Sequence, residues 1–149
     1  MNPKEQIDHF LKELGLKLGI EDIGLNPEGV CAFTYLNSFD LIIEVSEESN
    51  TFIIHTPLTT LKSGNNEPLL KKLLSLNFLG IETQGASFAL NEDTQEVVLC
   101  YNHPIENLQS NTFENLIGNF LEVAEKFWVQ LSQYGDSLEE PQVPPGPAS

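Results

Sequence analysis

The side chains able to do chemistry in this sequence are few: two cysteines, three histidines and short acidic runs. A nucleophile would have to be Cys31 or Cys100 with His55 or His103 as its base, which needs thiol and imidazole within hydrogen-bond reach. Both cysteines lie among apolar neighbours, in Gly29–Phe33 and Val97–Tyr101, where a thiol is ordinarily a small core residue. A disulfide between them is not expected in a reducing compartment. His9, His55 and His103 fall in three different predicted elements, with no HExxH or CxxC spacing, so a metal site has no basis. No GxSxG elbow, P-loop or GxGxxG is present. Glu47-Glu48 and Glu92-Asp93 sit in predicted turns, where carboxylates are simply solvated. The residues therefore predict no enzyme, no cofactor and no metal.

Composition narrows the partners. Asp and Glu number 22 against 7 basic residues, a formal net charge of -15, and every basic residue is a lysine. Without arginine there is no bidentate capture of phosphate, and the overall field repels polyanions. Nucleic acid and anionic membranes are excluded on that ground, whereas basic partners are attracted. No uncharged apolar run predicts a membrane span and no leader is visible, so a cytoplasmic location is expected. The 149 residues, 40% hydrophobic, fit one domain over 1–135 and a Pro-rich acidic tail over 136–149. The tail's Pro141–Pro144 spacing lacks the basic anchor of an SH3 ligand.

The elements are organised around residues 66–101, read as a helix and a β-hairpin. Asn66 is placed to cap the helix, with Glu67 at the positive end of its dipole and Pro68 in its first turn. Leu69, Leu70, Leu73, Leu74 and Leu76 cover an arc of about 160°, wider than the roughly 100° a helix needs to cover its own sheet. The surplus predicts a homodimer interface through Leu70, Leu73, Leu74 and Leu76, unless Phe78 and the following chain fold back over it. Phe88 and Leu90, then Val97, Leu99 and Tyr101, alternate about the Asn91–Thr94 turn, and Pro104 ends the second strand.

A first helix runs from the Asn2 cap to Leu14, with Glu5 completing a capping box, Ile7, Phe10, Leu11 and Leu14 on one face, and Gly15 as its natural C-cap. The spacing of Leu16 and Leu18 allows another turn. Strands follow over Val30–Leu36, Phe39–Val45 and Thr51–Thr56, joined by Asn37-Ser38 and Ser46–Asn50; Pro57–Asn65 reads as a loop. Phe39, Leu41, Ile43 and Val45 form the buried face of the middle strand. The sheet keeps apolar residues on its other face too, which a one-sided antiparallel sheet would not. A final helix starts at the Asn111 cap and keeps its apolar period to Leu131, ending at Tyr134-Gly135.

The fold class expected is therefore α+β, an antiparallel sheet of about five strands with helices in the order α-β-β-β-α-β-β-α. That order, with Phe10–Leu16 (FLKELGL), Gly29–Phe33 (GVCAF), Leu69–Leu79 (LLKKLLSLNFL) and the closing Phe127-Trp128, resembles the class I type III secretion chaperones of the Tir-chaperone (CesT-like) family. The resemblance implies a cytoplasmic bacterial homodimer that binds the N-terminal segment of secreted effectors in extended form, for delivery to a secretion ATPase or sorting platform. The groove it implies is assigned to Ile7, Phe10, Leu11, Phe33, Tyr35, Ile42 and Ile53, with β-augmentation at a sheet edge. Intramolecular core is the competing reading for each, for Phe10 and Leu11 above all. An acidic dimeric regulatory or scaffold domain of the same topology, without clients, is the alternative function.

Overall fold

A computed structural model describes residues 1–138. The elements are α1 (Pro3–Leu18), β1 (Val30–Tyr35), β2 (Phe39–Ser46), β3 (Thr51–Thr60), α2 (Glu67–Asn77), β4 (Ser87–Asn91), β5 (Glu96–Pro104) and α3 (Ser110–Leu138), the expected order. The strands form one antiparallel sheet in the order β1-β2-β3-β5-β4. In the second hairpin β5 takes the inner place because Val97 and Leu99 are buried, whereas β4 buries only Phe88.

Helices α1 and α3 share one face of the sheet. Phe113 of α3 meets both Phe10 of α1 and Phe52 of β3, while Phe88 of β4 packs edge-on against Phe127 with ring centres 4.9 Å apart. Phe113, Ile117, Phe120, Ala124, Phe127 and Leu131 recur at helical spacing and are all buried. At about 1.5–3 kcal/mol per large side chain, this stripe is the largest contribution to the core.

Several boundaries differ from expectation. The Asn2–Glu5 capping box forms, yet α1 runs through Gly15 and ends at Gly19, whose φ of 72° suits a left-handed cap. Gly15 is needed for packing: a Cβ there would lie 2.1 Å from Ile23 Cγ2. The α2 N-terminus is capped by Asn65 Oδ1, which accepts from the Glu67 N–H at 3.0 Å; the Asn66 side chain makes no cap bond. β3 continues through Pro57 to Thr60, and a register shift between Pro57 and Thr59 relieves the missing proline donor. α3 begins at Ser110, so Asn111 is inside it, and it continues past Gly135 to Leu138. Residues 136–138 are therefore helical, and the rest of the expected tail, 139–149, lies outside the described residues.

One correction reaches the candidate site. A two-residue Asn37-Ser38 turn would pair Leu36 with Phe39 and place Phe33 opposite Ile42. The turn instead takes three residues: Leu36 and Asn37 are left-handed at φ 52° and 54°, and Tyr35 pairs with Phe39. A one-residue slip reverses every side chain of a strand. Phe33 consequently pairs with Leu41 and shares the helix-covered face.

Candidate partner-binding surfaces

The chemically capable residues do not assemble into a reactive centre. Cys100 and His55 are cross-strand partners, the one thiol–imidazole meeting in the described structure. The imidazole is occupied, however: His55 Nε2 lies 2.6 Å from Glu44 Oε2. Cys100 Sγ points to the Ser87 carbonyl oxygen at 3.5 Å, and burial pushes its thiol above the ordinary range. Burial likewise raises Cys31, so neither sulfur is poised as a thiolate. Cys31 is on the inner face of β1 and Cys100 on the outer face of β5, three strand spacings or about 14 Å away, beyond the reach of a disulfide. Among the described residues no group of three His, Cys, Asp or Glu is placed to hold a metal.

The seven residues assigned to a groove separate into three groups. Ile7 and Leu11 are wholly buried and Phe10 is 8% exposed against Phe113, so these three belong to the α1–α3 core of this chain rather than to a groove. Phe33 and Tyr35 are half-buried on the inner face, at the free edge of the sheet. Ile42 and Ile53 are half-buried on the outer face, which α1 and α3 do not cover; Ile42 pairs there with His55, and Ile53 with Glu44.

β1 is an open edge with usable backbone. Alternation along its ladder to β2, anchored by the Val45 N–H donating to Gly29 O, turns the groups of Val30, Ala32 and Thr34 outward. Asn26 takes both of Val30's, accepting its N–H at Oδ1 and donating its own N–H to its carbonyl. Ala32 and Thr34 are left facing the open side, flanked by the half-exposed rings of Phe33 and Tyr35. Pattern reading could not show this, because edge position is set by strand order.

A second surface surrounds the end of α2. Of the four dimer leucines, Leu73 is core at 4% exposed and Leu74 is 68% exposed; Leu70 and Leu76 are half-buried. Leu73 is therefore corrected to core. Phe78 does not fold back, for it, Leu79 and Ile81 are each at least 74% exposed. Asn77 ties this end of α2 to β4, donating from Nδ2 to Phe88 O and accepting the Phe88 N–H. Exposed apolar residues grouped this way are a candidate interface. Ile81 was not singled out in the sequence because it sits in a turn-rich stretch without period, beyond the Leu69–Leu79 run.

An open strand edge and an uncovered apolar surface on an α+β domain are the features of a binding module. Residues 9–127 match the Tir chaperone protein (CesT) family, and the chain belongs to it. A sequence comparison with curated proteins finds no match. Its fold is similar to a chain of the ExsC–ExsE complex, with a TM-score of 0.75 at 19% identity over 86% of this chain and 95% of that one. It is also similar to a chain in the complex of the Yersinia pestis type III secretion chaperone SycH with a fragment of YscM2, with a TM-score of 0.60 at 18% identity, covering 80% and 98%. YbjN of E. coli has the same fold, with a TM-score of 0.64 at 12% identity over 88% and 92%.

Proposed function

We propose that this chain is a homodimeric chaperone of the bacterial cytoplasm, binding the N-terminal chaperone-binding segment of type III secretion effectors and keeping it extended, soluble and secretion-competent. The observation that carries this reading, within the Tir chaperone family, is the β1 edge: two outward-facing residues of backbone beside two half-exposed aromatic rings. A client strand adding there gains main-chain hydrogen bonds to Ala32 and Thr34 and places alternate side chains on Phe33 and Tyr35. A segment continuing over the outer face reaches Ile42 and Ile53. The second copy seats on Leu70, Leu74, Leu76 and the exposed Phe78–Ile81 turn, and the acidity keeps the loaded particle soluble. Delivery to a secretion ATPase or sorting platform completes the cycle, without catalysis by this chain.

A second reading, a regulatory or scaffold domain without clients, stands beside it, because YbjN, described as a transcription regulator, has the same fold and the fold alone does not separate the two. Pull-down from the source bacterium with three baits decides: the native chain, Ala32→Pro and Tyr35→Asp. The chaperone reading expects a dimer carrying a protein through its N-terminal region, lost with both variants while their melting curves stay cooperative. A clean particle with no client, or a client indifferent to both substitutions, overturns it. None of the described helices is long and apolar enough to cross a membrane.

A further inference from the structure

The sheet has two edges, and the chain treats them differently. β1 leaves the backbone of Ala32 and Thr34 facing the open side, whereas the outward groups of β4 are largely engaged. Leu69, Leu73 and Asn77 recur four residues apart on α2, so the face that buries the two leucines carries Asn77 to the sheet as well. There Asn77 Oδ1 accepts the Phe88 N–H at 2.8 Å, and Asn77 Nδ2 donates to the Phe88 carbonyl oxygen at 3.1 Å. Such a reciprocal exchange is the pattern of a hydrogen-bonded residue pair in an antiparallel ladder, so one side-chain amide stands where a further strand would pair. Just before β4, the Ala86 N–H donates to Thr83 O at 3.1 Å. By the same alternation Leu90, next to the Glu92-Asp93 turn, is the other outward-facing residue of β4.

We propose that Asn77 is an edge plug: its amide closes β4 to strand addition, and the strand it shuts out is the open β1 edge of a second copy of this chain. An unpaired edge is a template for another strand, and a sheet with both edges open can pair with copies of itself on either side. Ala32 and Thr34 on β1 match Phe88 and Leu90 on β4 in spacing, each pair presenting alternate residues outward. A β1-to-β4 contact between copies is heterologous and does not close, so copies joined this way string together without limit. The plug removes one half of that contact while leaving the other edge untouched. On the chaperone reading, which this consequence alone rests on, Asn77 is a positioning residue that keeps β1 free for the client and directs the client strand to Ala32 and Thr34 rather than to β4.

Light scattering over a dilution series tests this with no client present, in about 0.15 M salt to screen the acidic surfaces. The native chain is compared with Asn77→Ala, and with Asn77→Ala combined with either Leu90→Pro or Ala32→Pro. Each proline takes an outward N–H from one edge, a place where proline is tolerated. Asn77→Ala is expected to rise with concentration to at least about twice the native mass, and beyond it because the contact is open-ended. Either proline should return it to the native mass, since every such contact needs both edges. A residue that only ties α2 to β4 would lower the melting temperature of all three variants alike and leave their masses native, which overturns the plug. Association that survives Leu90→Pro, as aggregation through unfolding would, lies away from the β4 edge and overturns it too. Association that survives Ala32→Pro overturns β1 as the strand shut out. Failure of the client experiment leaves these outcomes unaffected.

Discussion

Phe78→Asp should split the proposed dimer without unfolding the subunit. Phe78 is 77% exposed in the single chain, so its substitution leaves the fold within about 0.5 kcal/mol, as for ordinary surface positions. In a two-fold interface each side chain is counted twice. Burying two phenylalanines at about 1.5–3 kcal/mol each contributes about 3–6 kcal/mol to association. Losing it weakens the dimer by about two to four orders of magnitude, before the cost of burying two carboxylates. Light scattering over a dilution series reads the mass, and a thermal melt reads the fold. The control is Leu73→Ala, one residue from the exposed Leu74 but 4% exposed itself. It should cost the subunit about 2–5 kcal/mol through a core cavity. A Phe78→Asp protein of unchanged mass, or one that melts like Leu73→Ala, would refute the placing of Phe78 in an interface rather than in the fold of the subunit.

Ala32→Pro removes one outward N–H and blocks the ladder beside it, and proline is tolerated at such an edge position; client binding should weaken at least about ten-fold in calorimetric titration, with the melt little changed. Leu36 holds a φ of 52°, which costs an L residue about 1–2 kcal/mol, so Leu36→Asn should stabilise the chain by about 1 kcal/mol and raise Tm about 2–4 °C. Gly15→Ala forces a Cβ against Ile23 and to 2.9 Å from Ile20 O, and should lower the urea midpoint by the equivalent of about 1–3 kcal/mol. Burial raises both thiols, so above the ordinary thiol pKa the folded chain holds protons that the unfolded chain has lost. Stability should therefore fall as pH rises through that window, and Cys31→Ala/Cys100→Ala should flatten this part of the profile; a profile unchanged by the double substitution would refute the assignment.

Local signals were legible wherever the physics is local. The Asn2–Glu5 box, the apolar stripe of α3 and the alternation of β2 each depend on neighbours within a turn or two, and each formed as read. The misses needed facts that no short window holds. Ile7, Phe10 and Leu11 form an apolar stripe whether their partner is a client or α3, and only the tertiary contact with Phe113 decides. Leu73 and Leu74 are adjacent in sequence and differ in role by about 100° of helix rotation, a distinction that depends on how α2 meets the sheet.

The groove residues show how one local error becomes a global one. Asn37-Ser38 looks like a two-residue hairpin turn, and a leucine is a poor choice for a left-handed position, so pattern reading leaves Leu36 in the strand. The hairpin instead bends at Leu36, exposing that side chain at 61%, and the register moves by one residue. Phe33 and Tyr35 then lie with Phe39 and Leu41, next to the helices, and Ala32 and Thr34 present their small side chains on the other face. That reversal makes β1 a better acceptor for a strand. Small residues flank the open backbone on one side, while two aromatic rings stand half-exposed on the other, at the rim of a core that already ends there. The strained Leu36 is thus coupled to the proposed binding edge. An exposed leucine kept at positive φ sets which face of β1 the client's side chains meet.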